Sequence, residues 1–148
     1  MVLLLRIAAV SFVALSMGAS FAHVLELPAK LQLTGDQYLA VQGIYRYFGA
    51  IATVLETGSV VLMVGVLAHG WHRPSARLTG LALIAFVASL VAWFVIVSPV
   101  NAVFASWSSG PPAHWIAARD RWEWGHVTVF GLKLVAFLLL ITAMLRSR

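Results

Sequence analysis

The sequence predicts an all-α integral membrane protein, a four-helix bundle with both termini cytoplasmic. Three observations predict it. The chain is 61% hydrophobic and only 10% charged, with a mean hydropathy of +0.94; a soluble domain is roughly half apolar and a quarter charged. Four apolar runs, at residues 2–22, 47–68, 78–97 and 127–145, each approach the ~20 residues that cross a bilayer as helix. None alternates with period two, which argues against a β-barrel. The 148 residues accommodate one such bundle, a single domain spanning 1–148.

Charge sets the expected direction. Arg6, Arg73, Arg77, Arg146 and Arg148 fall on one side of the four runs, and the positive-inside rule makes that side cytoplasmic. The other two loops mix Lys30, Arg46, Arg119 and Arg121 with Glu26, Asp36, Asp120 and Glu123. A multi-pass protein of the bacterial inner membrane is the expected setting. The net charge of +5 comes from Lys and Arg scattered singly near the run ends, as membrane anchors are; nucleic acid is not an expected partner. Membrane lipid is, and a homo-oligomer stays open. With no Cys, disulfides, thiolate nucleophiles and zinc ribbons are excluded.

The helices should extend past the lipid. Pro28 is expected to stop the first, because its ring lacks the N–H a helix interior needs. Thr34 is a fitting N-cap for a second helix starting near Gly35 and running unbroken through "DQYLAVQGIYRYFGAIATVLETG". Pro99 should end or kink the third just before Asn101. Pro112 or Ala113 should open the fourth, after the turn "SSGPPAHW". A competing reading of the first run is a signal peptide, since Ser20 and Ala22 in "SMGASFAH" have signal-peptidase spacing. Cleavage there would free His23 as a copper-chelating N-terminus. The run is long for a signal peptide and Arg6 lies within it, so a retained helix is expected.

A rise of ~1.5 Å per residue lets polar positions be compared in height above the cytoplasmic ends. His23 and His126 come out at ~30 and ~28 Å, Glu26 and Glu123 at ~34 and ~33 Å, and Arg46 and Asn101 both at ~34 Å. These six, drawn from all four helices, fall in one layer near the outer interface and are the candidate catalytic residues. His23 and Glu26 share a helix face at i, i+3, and "EWGH" gives Glu123 and His126 the same spacing in reverse order. Glu-x-x-His facing a bundle interior is a di-iron carboxylate pattern, but the inverted second pair and the shortage of further glutamates do not complete it. A single transition metal held by His23, Glu26, Glu123 and His126, or a haem between the two histidines, stays open. So does a cofactor-free polar layer that only locks the packing. His69 and His72 read as interfacial.

Glu56 and Lys133 lie deeper, at ~20 and ~18 Å. A carboxylate at that depth costs ~2.5–3.5 kcal/mol on insertion scales unless paired, so the two are expected to form an intramembrane pair. Glu56 could alternatively relay a proton. Trp107, Trp115, Trp122 and Trp124 gather at the outer side with Tyr45 and Tyr47. An aromatic belt accounts for that. The alternative is a mouth of flat rings, with Trp122, Trp107 and Tyr45 lining the path of a small aromatic or quinone-like substrate.

"AHVLELPAKLQLTGDQYLAVQGIYRYFG", "VSPVNAVFASW" and "RDRWEWGHVTVF" together resemble the small four-helix membrane proteins grouped as anthrone-oxygenase-like, many of them known only as a domain of unknown function. The resemblance covers nearly the whole chain. It implies a four-helix membrane fold and, for members in aromatic polyketide pathways, oxidation of an anthrone to an anthraquinone by molecular oxygen without a conventional cofactor. By this resemblance Asn101, Trp122 and His126 match the family's Asn and Trp…His motifs. His23, Glu26 and Arg46 match a subgroup opening with His-x-x-Glu-Leu-Pro. Many members carry Arg three residues after the motif His, where this chain has Val129. The implied chemistry makes His126 the base, with a reference pKa of ~6.5, Glu123 or Glu26 its orienting partner, and Arg46 and Asn101 the oxyanion holders. The rival expectations are a non-catalytic membrane subunit and a metal- or haem-binding membrane protein.

Overall fold

The computed structural model describes residues 2–108 and 110–146. Helix α1 spans Val2–Lys30 and α2 spans Gly35–Gln42, followed by a 3₁₀ turn at Gly43–Tyr45; α3 is Phe48–His69 and α4 is Ala76–Ala92. A π turn at Trp93–Val97 carries α4 into α5, Ser98–Ala105, and α6 is Trp115–Leu145. No strand occurs among the described residues. Four helices are long and apolar enough to span a membrane: Val2–Lys30, Phe48–His69, the joined Ala76–Ala105 and Trp115–Leu145. At 29, 22, 30 and 31 residues, all four reach the ~20 residues a bilayer needs, and three are long enough to project well beyond it.

The bundle is inside-out in its polarity. Leu4, Val54, Ile84 and Phe94 are each at least 65% exposed, a surface that suits lipid and not water. Small hydroxylated residues sit between helices instead. Ser20, Ser59, Thr79 and Ser89 are buried, and each hydroxyl bonds back to a carbonyl of its own helix. Hydrocarbon gives helices no hydrophobic reason to associate, so close approach through small residues does that work. Gly58 shows the tightness: a Cβ there would stand 2.5 Å from the Phe12 ring.

Helix α1 packs on α3 and α6, and α6 packs on α4. One core cluster, built on Val13, Met63, Phe86 and Leu140, occupies the end where α1 starts and α6 finishes; we call it the terminal end. A second, of Tyr38, Val97, Val100, Phe104 and Trp122, fills the opposite, loop end. Between these clusters, towards the loop end, lie the polar residues.

Several expected boundaries are corrected. Pro28 does not stop α1, which continues to Lys30. The helix was to end within a turn in any case, so the missing N–H costs one hydrogen bond near its frayed end, and the bond from Leu31 N to Leu27 O closes the last turn. Thr34 caps α2 as expected, with a reciprocal bond between its hydroxyl and the Gln37 backbone and between the Gln37 side chain and the Thr34 N–H. The helix that follows is not continuous: it breaks at Gly43–Tyr45, where glycine is a weak helix former, and restarts at Phe48. Pro99 does not end the third span, which runs on as helix to Ala105 after a π turn. The carbonyl it would leave orphaned is Val95 O, which accepts instead from Arg121 Nη2 at 3.0 Å, while Ser98 N bonds Trp93 O in the wider π register. The fourth helix begins at Trp115, not at Pro112 or Ala113, which belong to a turn closed by Trp115 N to Pro112 O. Residues Ala22 and His23, flanking the proposed cleavage point, lie inside unbroken α1. Arg148, counted in the charge asymmetry, lies outside the described residues.

Candidate functional site

The two histidines meet. Their ring centroids are 3.9 Å apart with planes at 25°, so α1 and α6 stack imidazole on imidazole. Trp122, one turn before His126 on α6, packs edge-on to both rings at 4.3 and 5.0 Å. Tyr45 and Phe48 close the other side of His23 at 4.7 and 5.9 Å. Gly125 lets this happen. A Cβ at 125 would lie 2.8 and 2.9 Å from Val97 and Ile96 methyls, so only glycine allows α6 to press its His126 turn against the π segment.

The stack forms part of the wall of a cavity of about 540 Å³. All four spans contribute. Ser16, Ser20 and His23 come from α1, Arg46 and Gln42 from the region of the 3₁₀ turn, and Glu56 from α3. Trp93 and Asn101 come from the π turn and α5, and Trp122, His126 and Lys133 from α6. The volume lies in the range of small-molecule sites, which are mostly apolar with a few placed polar groups. Asn101 Oδ1 accepts from Trp122 Nε1 at 2.7 Å, which fixes the amide and leaves its NH₂ to donate elsewhere. Gln42 Nε2, His23 Nδ1 and Ser16 Oγ, all on wall residues, are buried without a hydrogen-bond partner among the described residues. Unsatisfied buried polar atoms are uncommon and call for an explanation.

Behind the wall lies a charged network that the sequence did not reveal. Lys30 is 3% exposed. Its ammonium sits 2.9 Å from Glu26 and 3.6 Å from Glu123, and 4.5 and 4.9 Å above the rings of Tyr45 and Trp122. Tyr38 donates to Glu123 at 3.0 Å, and the Tyr45 hydroxyl donates to Glu26. Lys30 reads in the sequence as a loop anchor and Tyr38 as an ordinary α2 residue. Only the i, i+4 spacing of Glu26 and Lys30 could have signalled the pair. Arg119, nearly buried, ties the network's rim together: it pairs with Asp120 at 2.8 Å and donates to Leu31 O at 3.1 Å, just past the end of α1.

Glu56 and Lys133 are paired at 2.7 Å, and Lys133 Nζ also reaches Ser20 Oγ at 3.1 Å. Both line the deep part of the cavity. Arg46, Asn101, Tyr45 and Trp122 line it as well, whereas Glu26 and Glu123 do not. Trp107 is a correction: it is not on the wall but packs behind it, against Phe104 at 4.9 Å. His23, Glu26, Glu123 and His126 do not come together as a metal site. No group of three or more His, Cys, Asp or Glu among the described residues is arranged to hold an ion. Lys30 already occupies the space between the carboxylates, and stacked imidazoles cannot both point in-plane lone pairs at one metal or at opposite faces of a haem.

Two tyrosines outside the spans report the network. Burial, then the neighbouring carboxylates, raise the Tyr38 and Tyr45 hydroxyls above the ordinary tyrosine range. The folded chain keeps these protons while the unfolded chain loses them near pH ~10. Their contribution to stability is therefore complete below ~10 and drains away as pH rises beyond it. Melting temperature measured from pH 8 upwards is expected to fall above pH ~10, and Tyr38→Phe with Tyr45→Phe should flatten that fall. An unchanged alkaline limb in the double variant would assign it elsewhere.

Comparison of the chain with known protein families, curated proteins and solved structures gives no match, so the site stands on its own geometry: a stacked histidine pair on the wall of an aromatic-walled cavity in a multi-pass membrane bundle.

Proposed function

We propose that the cavity binds a small hydroxylated aromatic or quinone-like molecule and oxidises it with molecular oxygen, His126 acting as the base. The observation that supports this reading above others is the His23–His126 stack on the wall of a cavity rich in flat rings. A base beside aromatic surfaces suits a planar substrate with an acidic proton. The similarity of the three quoted segments to anthrone-oxygenase-like proteins points the same way.

The step is written for a substrate whose CH₂ is flanked by aromatic rings. His126 removes one of its protons, and the electron pair delocalises onto the ring oxygen. Arg46 and the free Asn101 amide face that charge and stabilise it. The carbanion transfers one electron to O₂; recombination of the two radicals forms a C–O bond and, on protonation, a hydroperoxide. Loss of the second C–H proton breaks the O–O bond and releases water, so CH₂ and O₂ give C=O and H₂O. The stack carries one proton at a time, because two imidazolium charges 3.9 Å apart would repel. Glu26 and Lys30 lie beyond Tyr45 on the loop-end side, where Glu26 is 37% exposed.

Purified protein in lipid nanodiscs, given anthrone as the probe, is expected to consume O₂ and anthrone one to one, with anthraquinone absorbance rising in step. Rates no faster than those of empty nanodiscs, with anthrone and with simple hydroquinones, would overturn the proposal.

A further inference from the structure

We infer that the ligand of this cavity carries a hydrocarbon tail, and that the tail leaves sideways between α3 and the α4–π segment. The inference rests on the proposed reading of the cavity as an aromatic site and extends it to a membrane-resident class: a hydroxylated aromatic head with one alkyl or isoprenoid chain, for which tailed and tailless hydroquinones serve as binding probes.

The cavity is not closed. Thr53, Glu56 and Phe94 on its wall also line a second space, a groove of about 300 Å³. Thr57, Val60, Val61 and Leu90 complete that groove. It faces the lipid side of the bundle, since Val61 and Phe94 are 63% and 66% exposed. From Thr53 to Val61 it runs ~12 Å along α3, away from the loop end and into the depth of the membrane. Its walls are apolar apart from Glu56, Thr53 and Thr57, and Thr53 turns its hydroxyl onto Gly49 O at 2.7 Å.

The polarity is graded in the order an amphiphile would need. The unpartnered polar atoms of Gln42, His23 and Ser16 belong to the main cavity, and the hydrocarbon-like surface belongs to the groove. Glu56 marks the junction. Lys133 engages its Oε1, while the other carboxylate oxygen has no partner among the described residues, and the side chain remains 23% exposed at a depth where an uncovered carboxylate is costly. Glu56 borders both spaces, so a ring system confined to the cavity leaves the groove side of the carboxylate open. A head hydroxyl donating to that oxygen, with a chain lying over it in the groove, would cover it.

The test compares 2-decyl-1,4-hydroquinone with 2-methyl-1,4-hydroquinone, binding followed by quenching of tryptophan fluorescence in nanodiscs. Thr57→Phe and Val61→Phe narrow the groove at two exposed positions that do not line the main cavity, so folding should survive; a melting curve checks it, and each variant stands in for the other. The expected result is at least a tenfold loss of affinity for the decyl compound in either variant, with the methyl compound unchanged. Equal loss for both compounds, or no loss for either, overturns the tail inference, the latter meaning that the groove holds only bulk lipid chains. In both cases anthrone turnover would still stand. Failure of both compounds to bind, together with absence of turnover, removes the parent reading as well.

Discussion

Replacing His126 with Ala is expected to slow anthrone-dependent oxygen uptake by ~10²–10⁴-fold, the usual worth of a positioned general base. The ring lies on the cavity wall, packed between His23 and Trp122. Alanine removes the base and leaves a void beside two aromatic residues, which complicates reading a loss of rate. His126→Gln is therefore the sharper variant, because it keeps bulk and polarity without a basic nitrogen. Both should lose turnover, and the glutamine variant should keep its melting temperature within a few degrees of the parent. A glutamine variant with undiminished turnover would remove His126 from the base's role. A lower melting temperature with unchanged turnover would identify the histidine layer as a packing lock.

Lys30→Met should destabilise the protein by ~3–5 kcal/mol, as happens when one partner of a buried ion pair is removed. Lys30 is buried between Glu26 and Glu123, and methionine matches its length while deleting the charge. Two carboxylates, one of them fully buried, then face each other without a cation, and the cation–π contacts with Tyr45 and Trp122 are lost. Adding Glu26→Gln and Glu123→Gln should recover most of the loss, because neutral amides need no counter-ion. Reversible unfolding in mixed micelles measures it. A single variant as stable as the parent would mean that the ammonium contributes nothing net, its attraction merely offsetting the desolvation.

The same two residues show why part of the site was readable and part was not. His23 and His126, at ~30 and ~28 Å by rise alone, stack in the structure, and Glu56 and Lys133, at ~20 and ~18 Å, pair at 2.7 Å. Lys30 was as computable in height as any of them. Yet nothing in "ELPAKLQL" says that its ammonium turns inward, and charge near a run end is ordinarily an anchor. Tyr38 was hidden for a related reason. The tightening to a 3₁₀ turn at Gly43–Tyr45 and the contact of Tyr38 with Glu123 across the bundle cannot be read from local sequence. Trp107 misled in the opposite sense: it shares a height with the site but lies one layer out, behind Phe104.

By itself the sequence determined that the chain is an all-α bundle, that four helices are long and apolar enough to span a membrane, and that His23 with His126 and Glu56 with Lys133 lie at matching heights. Those follow from local quantities: hydropathy summed along a run, and a rise per residue set by backbone geometry. Tertiary structure alone decided which way each helix is turned about its axis, and hence that the imidazoles stack, that Lys30 separates two carboxylates, and that the cavity shares Thr53, Glu56 and Phe94 with a groove beside α3. Rotation about a helix axis is fixed by contacts with neighbouring helices, such as Gly125 against Ile96 and Val97 or Gly58 against Phe12, and those contacts exist only once the bundle has formed.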